Sequence, residues 1–131
     1  MPKLVILALA AVAVLMLKHA VADFYLQTPY QYLNKGTYGH PGGFIHAGIH
    51  ALLTLFVYLV LVPSSLIIVF AITIGEFAVH YHVDWLKEQV MHRKGWTAHH
   101  RGFWFALGTD QLVHGLTYLT IVAVLIATAA A

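Results

Sequence analysis

The stretch LIIVFAITIGEFAVHYHVDWLK, residues 66–87, is apolar enough to cross a bilayer, yet it carries Glu76, His80 and Asp84 at four-residue steps. In an α-helix a four-residue step returns to nearly the same face, about 40° round and about 6 Å along the axis. One stripe of this helix therefore presents a carboxylate, an imidazole and a second carboxylate in a stack. The same spacing recurs outward along the chain, as His19-x3-Asp23, His46-x3-His50 and Asp110-x3-His114. Each pair lies inside or at the end of another long apolar segment. One such pair is weak evidence, but four built only from imidazole and carboxylate point to a buried metal site.

Composition sets the class. The chain has 131 residues, 60% hydrophobic and 9% charged, with a mean hydropathy of +0.78. Soluble domains carry about 25% charged residues, and a membrane crossing takes about 20 apolar residues. Four segments meet that length: Leu4 to Leu26, Phe44 to Val62, Leu66 to Leu86 and Phe103 to Ala130. The expected fold is all-α, an integral membrane bundle of four transmembrane helices forming a single domain over residues 1–131. Pro63-Ser64-Ser65 reads as a tight connection between the second and third. The N-terminal run ending in Ala20-Val21-Ala22 also has the anatomy of a signal peptide. Cleavage there would remove His19, whose spacing matches the other pairs, so the segment is kept as a helix.

Charge gives an orientation. Lys18, Lys35, Lys87, Arg93, Lys94 and Arg101 fall at one end of the four crossings, and only Lys3 at the other. The positive-inside tendency puts the basic end in the cytoplasm and both termini outside. The same counting brings all four ligand pairs to that one membrane face. Anionic headgroups or a phosphate-bearing substrate suit a net charge of +2, and the absence of a long basic tract argues against nucleic acid. With no cysteine, disulfides and thiolate-held metal are excluded.

Ionisable groups inside a bilayer cost a few kcal/mol each and are kept where they pair or serve function. Four of the five acidic residues and five of the ten histidines lie in the pairs, an enrichment that simple polar glue between helices, which also uses Asn, Gln, Ser and Thr, does not require. The ligand set is therefore His19, Asp23, His46, His50, Glu76, His80, Asp110 and His114, enough for one or two divalent ions. Zinc is the first expectation, with manganese or iron also suited to mixed His/carboxylate ligation. Asp84, nearest the membrane surface on its helix, is expected to serve as general base or as an orienting group. Lys35 and Lys87, with Arg101, are expected to hold a substrate phosphate. Gln111 is placed to orient a ligand. His82 falls on another helix face, and His92, His99 and His100 lie in the basic loop. Gly75, Gly108 and Gly115 are expected to permit close helix approach.

The run His19-Ala-Val-Ala-Asp23-Phe-Tyr-Leu-Gln27, with Lys35, His46-x3-His50, Glu76-x3-His80-x3-Asp84-x2-Lys87 and Asp110-Gln111-x2-His114, resembles a family of small bacterial and phage membrane proteins known only as a domain of unknown function. That resemblance spans nearly the whole chain and implies a four-helix membrane fold with these residues as its signature. More distantly, His99-His100-Arg101-Gly102 and the His/Asp pairs resemble the membrane-bound metal-dependent hydrolases, although Trp104-Phe105-Ala106 stands where that family tends to continue with Thr-His-Ser. The expectation is a metal-dependent hydrolase of the bacterial inner membrane, acting on a lipid-linked or amphiphilic substrate at the cytoplasmic face. Its alternatives are a non-enzymatic metal-binding or polar-core module, and a di-iron or haem oxidoreductase. Metal identity, substrate and homo-oligomerisation stay open.

Overall fold

The computed structural model describes residues 3–61 and 65–129. Four long helices carry the fold: α1 (Lys3–Phe24), α3 (Pro41–Leu61), α4 (Leu66–Lys94) and α5 (Arg101–Ala129), with a single short turn of helix, α2 (Pro29–Tyr32), between the first two. All four long helices are long and apolar enough to cross a membrane. They form a ring in which α1 touches α3 and α5, and α4 touches α3 and α5. The diagonal pairs make no comparable contact among the described residues. The bundle axis is therefore lined by side chains from all four helices.

The boundaries depart from the sequence reading where helix signals outlast the apolar run. α4 continues past Leu86 to Lys94 because Lys87, Glu88 and Gln89 are good helix formers. It stops at Gly95, whose φ of 63° is the left-handed conformation that ends helices. α3 begins at Pro41, where a missing N–H costs nothing. The segment read as an aromatic loop contains α2, started by Pro29 and by the Thr28 N–H donating to Gln31 Oε1 at 3.1 Å. Of the Pro63-Ser64-Ser65 connection, Pro63 and Ser64 lie outside the described residues, as do Val62 and Ala130, the expected ends of the second and fourth spans.

The bundle interior divides into two halves. Away from the basic end, Ala11, Leu15, Val57, Tyr58, Val69, Tyr118, Ile121, Val122 and Leu125 form a continuous apolar core. Toward the basic end, most of the buried side chains are polar or charged, among them Lys18, His19, Asp23, His46, His50, His80, Asp84, Asp110 and His114. The outward faces carry exposed Leu9, Leu17, Leu52, Phe56, Ile67, Phe70, Leu112 and Leu116. Apolar surface on every outer face and charge within is the reverse of a water-soluble bundle, and matches one surrounded by lipid.

The three glycines expected to allow close helix approach do not do so. A Cβ on Gly75, Gly108 or Gly115 would meet no atom within 4 Å among the described residues. Close approach occurs instead at Gly43, where a Cβ would lie 3.0 Å from the Tyr81 ring. There α3 and α4 are drawn together beside the polar half of the bundle.

Candidate metal centre

The four-residue spacing delivers its side chains to the bundle axis. α1 supplies His19 and Asp23, α3 His46 and His50, α4 His80 and Asp84, and α5 Asp110 and His114, all buried. The imidazoles of His50 and His80 stack with centroids 3.8 Å apart, and those of His80 and His114 at 4.2 Å. His19 lies 4.9 Å from His50 and 4.8 Å from His114, and His46 lies 5.1 Å from His80. Five rings from four helices thus share one small volume.

Each of the five turns its Nε2 toward a carboxylate. Asp23 Oδ1 lies 3.0 Å from His50 Nε2 and 3.2 Å from His46 Nε2, while Asp23 Oδ2 lies 3.1 Å from His19 Nε2. Asp84 Oδ2 lies 3.1 Å from His46 Nε2 and 3.5 Å from His80 Nε2, and Asp84 Oδ1 lies 3.4 Å from His114 Nε2. His114 Nε2 is also 3.6 Å from Asp110 Oδ1. Donor atoms held about 2.0–2.1 Å from one tetrahedral zinc are about 3.3 Å apart. The observed spacings bracket that value.

Hydrogen bonding accounts for only part of this arrangement. His46 Nε2 approaches two carboxylates but makes no hydrogen bond, and neither ring nitrogen of His80 has a hydrogen-bond partner among the described residues. His50 Nδ1 and Asp110 Oδ1 are likewise buried without one. A satisfied polar core pairs such atoms, because an unpaired one costs about 1–3 kcal/mol. Three sets of donor atoms lie mutually within 4.8 Å: Asp23, His46, His50 and His80; His19, His80 and His114; and Asp84, Asp110 and His114. These buried groups have the chemistry to hold a metal ion.

Supporting residues surround the donors. Gln111 donates from Nε2 to Asp23 Oδ2 at 3.0 Å and to Asp110 Oδ2 at 3.1 Å, and its Oε1 lies 3.2 Å from His19 Nε2. His19 Nδ1 lies 2.9 Å from the Tyr118 hydroxyl. On the basic side, Lys35 Nζ donates to Asp84 Oδ2 at 3.1 Å, and Lys87 Nζ lies 3.9 Å from Asp110 Oδ2 and 3.3 Å from Glu88. Asp23, Asp84, Asp110 and Glu88 against Lys35 and Lys87 leave two negative charges to be met by protons or cations. Buried net charge of this kind is costly in a membrane.

Two residues sit differently from the roles read in the sequence. Glu76 is separated from the donor sets. Its Oε1 accepts from Lys18 Nζ at 2.8 Å and from Thr54 Oγ1 at 2.9 Å, and Lys18 also donates to the His50 carbonyl at 3.0 Å. Glu76 is one helical turn deeper than His80, where a buried lysine reaches it first. Asp84, set apart as a base, lies among the donor atoms themselves. His82 is exposed against Tyr38 and Ala78, and His92, His99 and His100 are also exposed, away from the site.

Lys18, Thr54 and Tyr118 also belong to the site's surroundings, and two of them carry a signal in the sequence. Thr54 extends the His46, His50 stripe by one four-residue step, and Tyr118 extends Asp110, His114 in the same way.

Fold and site together define a four-helix membrane bundle with a buried histidine and aspartate centre. The chain belongs to the family described as Protein of unknown function (DUF3307), whose model matches residues 11–131. No curated protein and no solved structure matches it.

Proposed function

We propose that this protein is a metal-dependent hydrolase of the bacterial inner membrane, acting on a lipid-linked or amphiphilic substrate at the cytoplasmic face. The observation that carries the reading is the Asp23, His46, His50 and His80 set. Its donor atoms lie within 4.8 Å of one another, and His46 Nε2 and both His80 nitrogens lack hydrogen-bond partners among the described residues. Zinc is the ion assigned first, with manganese and iron as alternatives. Two ions would match the donor count, and Asp84, whose Oδ2 faces His46 and His80 and whose Oδ1 faces His114, would be among the residues that hold them. A divalent ion in such a site supplies Lewis-acid polarisation of the scissile bond and lowers the pKa of water.

The chain's own groups do the rest. Asp84, with Oδ2 toward His46 and His80 and Oδ1 toward His114, orients those imidazoles. Lys35 and Lys87, at the basic end, hold the charged part of the substrate. Gln111 fixes Asp23, Asp110 and His19 in one arrangement. Water adds across the ester bond, and the departing oxygen leaves with a proton. The basic end faces the cytoplasm and both termini lie outside, as the distribution of Lys and Arg favours.

The non-enzymatic reading has one observation of its own: Glu76 and Asp84 are each paired with a lysine, Lys18 and Lys35, as in a polar core that serves only to join helices. Haem is disfavoured by the 3.8 Å stacking of His50 on His80, which leaves no gap for a porphyrin between them. Elemental analysis of detergent-purified protein, followed by hydrolysis assays on lipid esters and lipid phosphates, tests the proposal. Stoichiometric metal with turnover supports it. Metal-free, inactive protein of native stability returns the site to a polar core.

A further inference from the structure

Two openings meet at one lysine. The first is a cavity of about 610 Å³ at the basic end, of mixed lining, where Lys35, Lys87, Glu88 and His92 stand beside Leu33, Met91 and Phe103. The second is a groove of about 480 Å³ on the lipid-facing side between α4 and α5, walled by Leu86, Val90, Phe105, Ala106 and Val113, with Lys87 and Asp110 also lining it. Both volumes fall in the range of small-molecule sites, about 300–1,000 Å³. Lys87 lines both, and its ammonium lies 3.9 Å from Asp110 Oδ2.

The two linings differ in the way the two ends of a lipid differ. The groove is apolar along its walls and opens where α4 and α5 present apolar surface to the bilayer. The cavity offers buried Lys35 and half-buried Lys87, with Glu88 on its wall and Asp84 and Asp110 behind the two lysines. An acyl chain in the groove would stay in hydrocarbon surroundings, so it needs no transfer through water. A headgroup reaching Lys87 from that side takes the place of Glu88 and Asp110 at its ammonium. An anionic one replaces their charge, the displaced carboxylates being offset in the metal-loaded protein by the bound cation, whereas a neutral one breaks the pairs without replacing them. We infer that a single-chain lipid with an anionic headgroup enters sideways between α4 and α5, its tail in the groove and its headgroup at Lys87 and Lys35. The step that follows rests on the hydrolase reading; the binding does not.

Dodecyl phosphate binding to the purified, metal-loaded protein in lipid nanodiscs tests this, with dodecanol and inorganic phosphate as controls. Dodecyl phosphate should bind at least about tenfold more tightly than either control, equivalent to about 1.4 kcal/mol. Ala106→Trp fills the groove and should weaken dodecyl phosphate about tenfold while leaving metal content unchanged. Lys87→Gln should weaken dodecyl phosphate and leave dodecanol alone. If Ala106→Trp fails to fold, Val90→Trp closes the groove from the α4 side. Equal binding of dodecanol, equal binding of inorganic phosphate, or indifference to both tryptophans overturns the proposal. So does a dimer that Ala106→Trp dissociates, which would give the groove to a second copy of this chain. Groove-dependent binding without hydrolysis leaves this inference standing and removes the hydrolase. Hydrolysis that ignores the tryptophans does the reverse.

Discussion

His80 lies face to face with His50, centroids 3.8 Å apart, with both of its own ring nitrogens buried and without hydrogen bonds among the described residues. The relationship separates the two readings of the site. In a polar core, replacing such a ring by an apolar one of similar shape is close to neutral, since no bond is lost and a desolvated group is removed. At a metal centre it deletes a donor. His80→Phe is therefore expected to abolish bound metal in elemental analysis and to lower the thermal midpoint of the metal-loaded protein. A variant of unchanged or raised stability, prepared from a protein that never held metal, would establish the polar core.

Removing metal from the intact protein should act in the same direction. A ligand that binds only the folded state stabilises it by about 2.7 kcal/mol at one hundred times its Kd. Chelation should lower the unfolding temperature in detergent, and readdition of zinc, manganese or iron should restore it, most fully with the native ion. Magnesium should not substitute, because the donor set is rich in imidazole.

Asp84 is predicted to behave as a bridging group. One of its oxygens faces His46 and His80 and the other His114, so Asp84→Asn should reduce the metal bound as well as turnover. Full metal content with turnover lowered about 10²- to 10⁴-fold, the usual contribution of an acid–base group, would instead identify a base that holds no ion.

The Lys18–Glu76 pair should behave as a unit outside the metal centre. Glu76→Gln leaves the Lys18 ammonium buried without its counter-charge, and breaking a buried pair costs about 3–5 kcal/mol. Lys18→Met combined with Glu76→Gln should recover much of that loss. Metal content should remain that of the parent protein in both. Loss of metal in the double variant would return Glu76 to the ligands.

Much of this architecture was legible because apolar length and a four-residue step are local properties. Four segments of bilayer length, each with imidazole or carboxylate on one stripe, specify both the bundle and the residues at its axis. What the spacing could not supply was depth relative to neighbours. Glu76 and His80 look equivalent on their stripe, yet only Glu76 is level with Lys18, whose charge in the sequence signals topology rather than a partner. Nor does a stripe announce where it ends. Thr54 and Tyr118 continue two of them but are common in membrane helices as packing residues. Gly75, Gly108 and Gly115 misled for a related reason, since a small residue shows that close approach is allowed but not which face meets a neighbour.

Orientation is open to direct measurement. With six of seven basic residues at one end, a reporter fused to the C-terminus should be active in the periplasm and silent in the cytoplasm. The opposite result would put the site at the outer face of the membrane and remove the cytoplasmic substrate from consideration.

The ring arrangement of the helices bears on how the protein is made. α4 carries Glu76, His80 and Asp84, while the Gln111, Asp110 and His114 that close the centre arrive on α5, which leaves the ribosome after it. Until α5 docks, one side of the polar axis faces lipid, with charges that are costly there. Stable integration of α4 thus waits on its successor, and a nascent chain stalled before α5 should be held by the insertion machinery or degraded. The centre would then act as a checkpoint of biogenesis, withholding release from chains that have not brought all four helices together.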